Sequence, residues 1–149
     1  MLIKGIFSDN APEAVGPYSP GIQIGDLVYL SGQIPLVPDT NEIVSSDIKE
    51  QTQQVINNIM AILSEMDLEL RHVVKTTVFI KDLSMFADMN EVYALFFEDP
   101  YPARSCVEVS NLPKGALVEI EAVAINTLRY ENGNIASACS GCSGCAMKK

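Results

Sequence analysis

From Asp47 to Met66 the side chains Ile48, Thr52, Val55, Ile59, Ile62 and Met66 return at alternating steps of four and three residues. That is the period of a helix with a single packing face. Asp47 and Glu50 stand in capping-box spacing at its start. Such a face must be laid on something, and the neighbouring runs supply a sheet. Val73 to Ile80 is dense in β-branched residues and reads as a strand. A second helix is expected from near Ser84, with Phe86, Met89, Tyr93 and Phe96 as its stripe. Ala103 to Ser110 and Leu117 to Asn126 read as two further strands, the latter apolar apart from Glu119, Glu121 and its polar end. Upstream, Ile22 to Leu30 reads as two strands around a Gly25-Asp26 turn, because glycine tolerates the positive φ of a tight hairpin. Ser31 to Pro35 is read as the end of that strand. The polar segment from Pro35 to about Ser46 is a connector that holds at most a short strand excursion.

The resulting order, β-β-β-α-β-α-β-β, interleaves helices with strands. It predicts an α+β subunit in which a mixed sheet carries two helices on one face. The other face is then apolar and uncovered, and its simplest cover is another copy of the chain, so a closed homo-oligomer is expected.

A chain of 149 residues suits one domain with a single core. Its formal charge of −9, without a run of Lys or Arg, would repel a phosphate backbone. Nucleic acid is therefore not expected as a partner. Met1 to Asp9 holds too short an apolar stretch for a signal peptide, and no later run is long enough to span a bilayer. A cytoplasmic protein is the expectation. Cys106 stands alone in the body of the sequence, while Cys139, Cys142 and Cys145 crowd its end, which is not a disulfide framework.

Two charged groups enter the apolar strands: Arg104, in Pro102-Ala103-Arg104-Ser105, and Glu119, in Val118-Glu119-Ile120-Glu121. Buried unpaired, either would be costly, so each needs a partner, water or a ligand. Cys106 lies two residues from Arg104 and shares its strand face, as Glu121 shares that of Glu119. A nucleophilic thiolate would want a nearby base, and the single histidine, His72, precedes a different strand, so Cys106 reads as a buried, unreactive thiol. One histidine also excludes a multi-histidine metal site and argues against a Ser-His-Asp hydrolase. No glycine-rich phosphate loop is present. No cofactor and no metal are expected, and Lys75 and Asp82 read as structural or solvated.

Ala14-Val15-Gly16-Pro17-Tyr18-Ser19-Pro20, Ser31-Gly32-Gln33-Ile34-Pro35, Gln51-Thr52 with Asn58, Val74 to Leu83, and Pro102-Ala103-Arg104-Ser105 through Glu119 occur in one order and spacing. Together they resemble the reactive-intermediate deaminase (Rid, or YjgF) family from about Ile3 to Ile125. The resemblance implies a chorismate-mutase-like subunit with a six-stranded sheet, a homotrimer, and active sites in the clefts between neighbouring subunits. It implies hydrolysis of 2-imino acids, chiefly 2-iminobutanoate and 2-iminopropanoate, to 2-oxo acids and ammonia. Such imines escape from pyridoxal-phosphate enzymes, so the role is the control of metabolite damage. By the same resemblance Arg104 clamps the substrate carboxylate, against the alternative of a salt bridge at a subunit interface. Glu119 handles the hydrolytic water, or else pairs with Arg104 or a lysine. Tyr18 and Ser31 line the cleft with hydroxyls, Gly32 allows close backbone approach, Asn90 faces the site from the second helix, and Cys106 contributes its backbone carbonyl.

The deaminase domain is expected over residues 1–128, with 129–149 a Cys/Gly/Ser-rich extension. Its overlapping C-x-x-C pairs would give soft-metal sites lacking a fourth ligand, and the extension reads as flexible chain with redox-sensitive thiols. The rival function is a binding module for 2-oxo or amino acids that does not turn them over. A ribonuclease role, attached to relatives of the family, is disfavoured by the negative charge.

Overall fold

A computed structural model describes residues 2–131. Six strands form one sheet: β1 (Ile3–Ile6), β2 (Gly21–Ile24), β3 (Leu27–Gln33), β6 (Val73–Ile80), β7 (Ala103–Glu108) and β8 (Val118–Ile125), in the order β1-β2-β3-β8-β6-β7. Only β6 and β7 run parallel, so the sheet is mixed as expected. The connector after β3 holds the anticipated excursion, a two-residue hairpin of β4 (Leu36–Val37) and β5 (Glu42–Ile43). β1 was legible in sequence only as a stretch too short for a signal peptide.

Helix α1 (Ile48–Ser64) starts at Asp47, whose carboxylate accepts from the amides of Lys49 and Glu50 at 2.8 and 3.0 Å. Only half of the expected capping box forms, because the Asp47 amide donates to Ser45 Oγ instead of to Glu50. Ile48, Thr52, Val55, Ile59 and Ile62 are buried, which is the face the periodicity marked. Helix α2 (Phe86–Phe96) follows a 3-10 turn at Leu83–Met85 that Asp82 caps through the Ser84 amide. Met89 and Tyr93 of its stripe are buried. Both helices cover the face formed by Val28 and Leu30 of β3, Val78 and Ile80 of β6, and Val118, Ile120, Ala122 and Ala124 of β8.

The opposite face carries Ile22, Leu27, Tyr29 and Val107, each more than one-third exposed. These side chains form an apolar part of the face that the helices leave open. Gly25 turns the β2–β3 hairpin at φ +59°, as its position suggested. β3 ends at Gln33, inside the Ser31 to Pro35 segment expected to end it, after an irregularity in its pairing with β8 between Leu30 and Gln33. A bulge there breaks the ladder without ending the strand.

The expected boundary between domain and extension lies between residues 128 and 129, inside a helix. Leu128–Glu131 forms a short helix, α3, tied to the body by Glu131 accepting from both terminal nitrogens of Arg71 at 3.1 and 3.0 Å, and by Tyr130 donating to Asp26 at 2.7 Å. The rest of the extension, with Cys139, Cys142 and Cys145, lies outside the described residues. Among the described residues no helix is long and apolar enough to cross a membrane.

Asn58, fully buried on α1, donates to the carbonyls of Ile34 and Leu36 at 3.2 and 3.0 Å and so pins the segment that follows β3. Asn58→Ala removes both bonds, leaving the Ile34 carbonyl its bond from the Leu36 amide at 2.8 Å, and is expected to cost about 1–3 kcal/mol. Urea unfolding should show a lower midpoint with an unchanged slope.

Candidate functional site

The sequence-marked residues fall into two groups on opposite faces of the sheet. Arg104 registers with Thr76 of β6 and Cys106 with Val78, both of which point into the helix-covered core. Arg104 therefore projects toward α2, at the edge strand β7. Its Nη1 donates to Asn90 Oδ1 at 2.7 Å, and its guanidinium carbon lies 4.7 Å from the Tyr93 ring centroid and 5.6 Å from that of Phe86. Asn90, Tyr93, Ala94, Tyr101, Pro102 and Arg104 line a cavity of about 440 Å³. Burial pushes the Tyr93 hydroxyl above its ordinary range, against the opposing pull of its Thr76 bond and of Arg104, so the phenol stays protonated.

Cys106 is half-buried against the core. Burial pushes its thiol up, and the positive charge of Arg104 only partly offsets this. It packs on the core but is less buried than expected, because it lies on an edge strand whose outward backbone groups are free of the ladder.

Glu119 registers with Phe79 and Glu121 with Thr77, on the open face. An ion pair between Glu119 and Arg104 within one subunit, one of the alternatives for Glu119, is thereby ruled out: the sheet separates them, and β6 lies between their strands. Glu119 instead sits against Gly32. A Cβ built on Gly32 would lie 1.9 Å from Glu119 Oε1, so only glycine leaves room for this carboxylate. Burial raises the Glu119 pKa above the ordinary carboxylate value, and the like charge of Glu121 raises it further.

Tyr18 and Ser31 line a groove of about 520 Å³ on the same face, with Lys75, Thr77 and Glu121. Tyr18 shares a second, small crevice with Gly32. Ser31 Oγ donates to the Ser19 carbonyl at 2.7 Å, which commits its proton and leaves lone pairs that suit water or an N–H donor. Tyr18 OH accepts from the Val15 amide at 3.3 Å and keeps its proton to donate. Lys75 reaches Ser105 Oγ at 3.4 Å.

Tyr18, Ser31, Gly32 and Glu119 thus gather on one face, and Arg104, Asn90 and Cys106 on the other. Sequence reasoning missed the aromatic cradle of Arg104. Its signal was present, since Phe86, Asn90 and Tyr93 stand at i, i+4 and i+7 on one helix.

Fold and side chains together define an α+β protein of the one-sided kind, a mixed sheet with helices on a single face and polar clusters on both. The chain belongs to the endoribonuclease L-PSP family, the YjgF or Rid family, whose sequence profile matches residues 8–126. It is 55% identical over 124 residues to a RutC family protein of Pyrococcus abyssi, covering 83% of this chain and 98% of that one. It is 46% identical over 127 residues to the 2-iminobutanoate/2-iminopropanoate deaminase of Escherichia coli K12, covering 83% and 98%. The solved structure of E. coli TdcF with bound serine superposes with a TM-score of 0.78 at 45% identity, over 82% of this chain and 98% of that one.

Gly32→Ala should displace the Glu119 carboxylate, the far end of a flexible side chain, with little loss of thermal stability. Glu119 then regains solvent and its pKa falls toward the ordinary carboxylate value, while Glu121→Gln lowers it part of the way. A carboxyl-carbon NMR titration of Glu119 in each variant checks both shifts.

Proposed function

We propose that the protein hydrolyses small 2-imino acids, 2-iminobutanoate and 2-iminopropanoate among them, to 2-oxo acids and ammonia. The observation that carries this reading is the pairing of a guanidinium with its fork left open and a desolvated carboxylate seated against a glycine, in a chain 46% identical to a deaminase of that name.

In this reading Arg104 grips the substrate carboxylate through two parallel N–H···O bonds. Glu119 accepts a proton as water adds to the imine carbon. On the protonated imine the new C–O bond gives a neutral carbinolamine; Glu119 returns the proton to nitrogen, and the C–N bond breaks as the hydroxyl oxygen forms C=O and gives its proton to Glu119, which passes it to the departing ammonia. The raised Glu119 pKa suits this exchange, because a stronger base takes the proton more readily and still surrenders it. Ser31, with its own proton committed, accepts from the water and orients it, and Tyr18 donates from the cleft wall.

Arg104 and Glu119 face opposite ways within one subunit, so the proposed site is completed by a second copy. A closed trimer with open sheet faces inward would set Arg104, Asn90 and Cys106 of one subunit against Tyr18, Ser31, Gly32 and Glu119 of the next. The exposed side chains Ile22, Leu27, Tyr29 and Val107 favour that assembly. The serine held by TdcF favours a second reading, capture of amino or 2-oxo acids without turnover.

The deciding experiment generates the imine with an amino-acid oxidase or threonine dehydratase and follows its decay against the uncatalysed rate. Acceleration is expected, with an acidic limb in the kcat–pH profile lying above the ordinary carboxylate range because Glu119 must be ionised to act as base. Arg104→Lys keeps the charge but loses the fork, and kcat/KM should fall on the order of 100-fold. Binding of the 2-oxo acid without acceleration would favour the capture reading. For the assembly, Arg104→Ala and Glu119→Gln, each inactive alone, should recover about a quarter of wild-type activity when refolded together at equal amounts, because about one seam in four then unites intact halves. No recovery would place both residues in one subunit's site.

A further inference from the structure

We propose that Tyr93, anchored from behind by Thr76, is a positioning residue that fixes the plane of Arg104 without occupying its hydrogen-bond donors. The inference rests on the proposed role of Arg104 as a carboxylate clamp and deepens it.

Thr76 is fully buried on β6, and its Oγ1 lies 2.8 Å from Tyr93 OH. Thr76 is also the register partner of Arg104 on the parallel strand β7. Tyr93 is buried as well, and its ring stacks on Phe97 with centroids 4.3 Å apart at 24°. Hydroxyl and ring are both held, so the ring cannot swing away from the guanidinium carbon 4.7 Å from its centroid. Phe86 supplies a second ring at 5.6 Å.

A guanidinium carries five N–H donors. Among the described residues Arg104 has one hydrogen-bond partner, Asn90 Oδ1. An Asp or Glu beside Arg104 would orient it but would also neutralise its charge and fill the fork that a substrate carboxylate needs. Aromatic faces attract the same cation through their quadrupoles and take no donor. The clamp is therefore orientated, charged and open at once. The Thr76–Tyr93 bond supplies the rigidity, since a Thr76 hydroxyl in the core would otherwise be orphaned.

The test measures KM and kcat for imine hydrolysis, the affinity for 2-oxobutanoate by calorimetry, and the Nε–H resonance of Arg104 in nitrogen-15 spectra, assigned by its loss in Arg104→Lys. Tyr93→Leu should raise KM and the 2-oxobutanoate Kd roughly 10-fold, within the range of a desolvated cation–π contact, while kcat changes by less than about two-fold. The Arg104 resonance should lose its ring-current shift. Tyr93→Phe and Thr76→Val keep the ring but release its anchor, and should raise KM by about two- to five-fold, the worth of one hydrogen bond. Thr76→Ser restores the hydroxyl and should restore KM. A merely structural Tyr93 would lower the melting temperature and leave KM, Kd and the Arg104 resonance unmoved, and that result overturns the inference. Should Tyr93→Leu not fold, wild-type KM in both Tyr93→Phe and Thr76→Val overturns it equally. If the wild type neither hydrolyses imines nor binds 2-oxobutanoate, the deaminase reading fails separately, and the Arg104 resonance alone decides the positioning.

Discussion

Period-two alternation along β6, β7 and β8 governs everything that the polar side chains of this protein can do. With helices on one face only, each strand position is committed either to the core beneath α1 and α2 or to the open face. Arg104 falls on the first kind of position and Glu119 on the second. A shift of one residue in β8 would turn Glu119 to the core face and drive Ile120 out of the core, and one in β7 would turn Arg104 to the open face. The hydrophobic register thus decides the orientation of the charged groups, and it sets them back to back across the sheet. Two half-sites on opposite faces can meet only where one subunit's edge approaches another's open face, which is why the proposed chemistry and the proposed assembly stand or fall together.

Each charged group is kept available by a different device. Arg104 is held by an amide oxygen and two aromatic rings, none of which cancels its charge. Glu119 is held by the absence of a side chain at Gly32, beside a bulge in the ladder between β3 and β8. Burial and the neighbouring Glu121 both make its ionised form less favourable. A cation that keeps its donors and an anion that is reluctant to ionise are the properties that carboxylate binding and proton exchange demand.

Much of this was legible in the chain. The stripe from Ile48 to Ile62, the β-branched run at Val73–Ile80 and the Gly25 turn all depend on local chemistry, and each formed where the pattern placed it. The capping box formed by half, because the Asp47 amide donates to Ser45 Oγ. The strand end expected in Ser31 to Pro35 falls there, at Gln33, but the irregularity in pairing just before it was not legible, because turn-forming residues mark a bulge as well as a terminus. β1 went unread because a four-residue strand with three exposed positions has almost no periodicity to detect.

The residue types of the site, their order and their strand or helix context were thus written in the sequence, since alternation and helical period act over a few residues. The partnerships were not. That Arg104 meets Tyr93 and Phe86, that Glu119 fits against Gly32, and that β6 separates the two charges follow from strand order and register. Those are long-range properties, set by how apolar faces pack across the whole chain, and only the folded sheet could decide them.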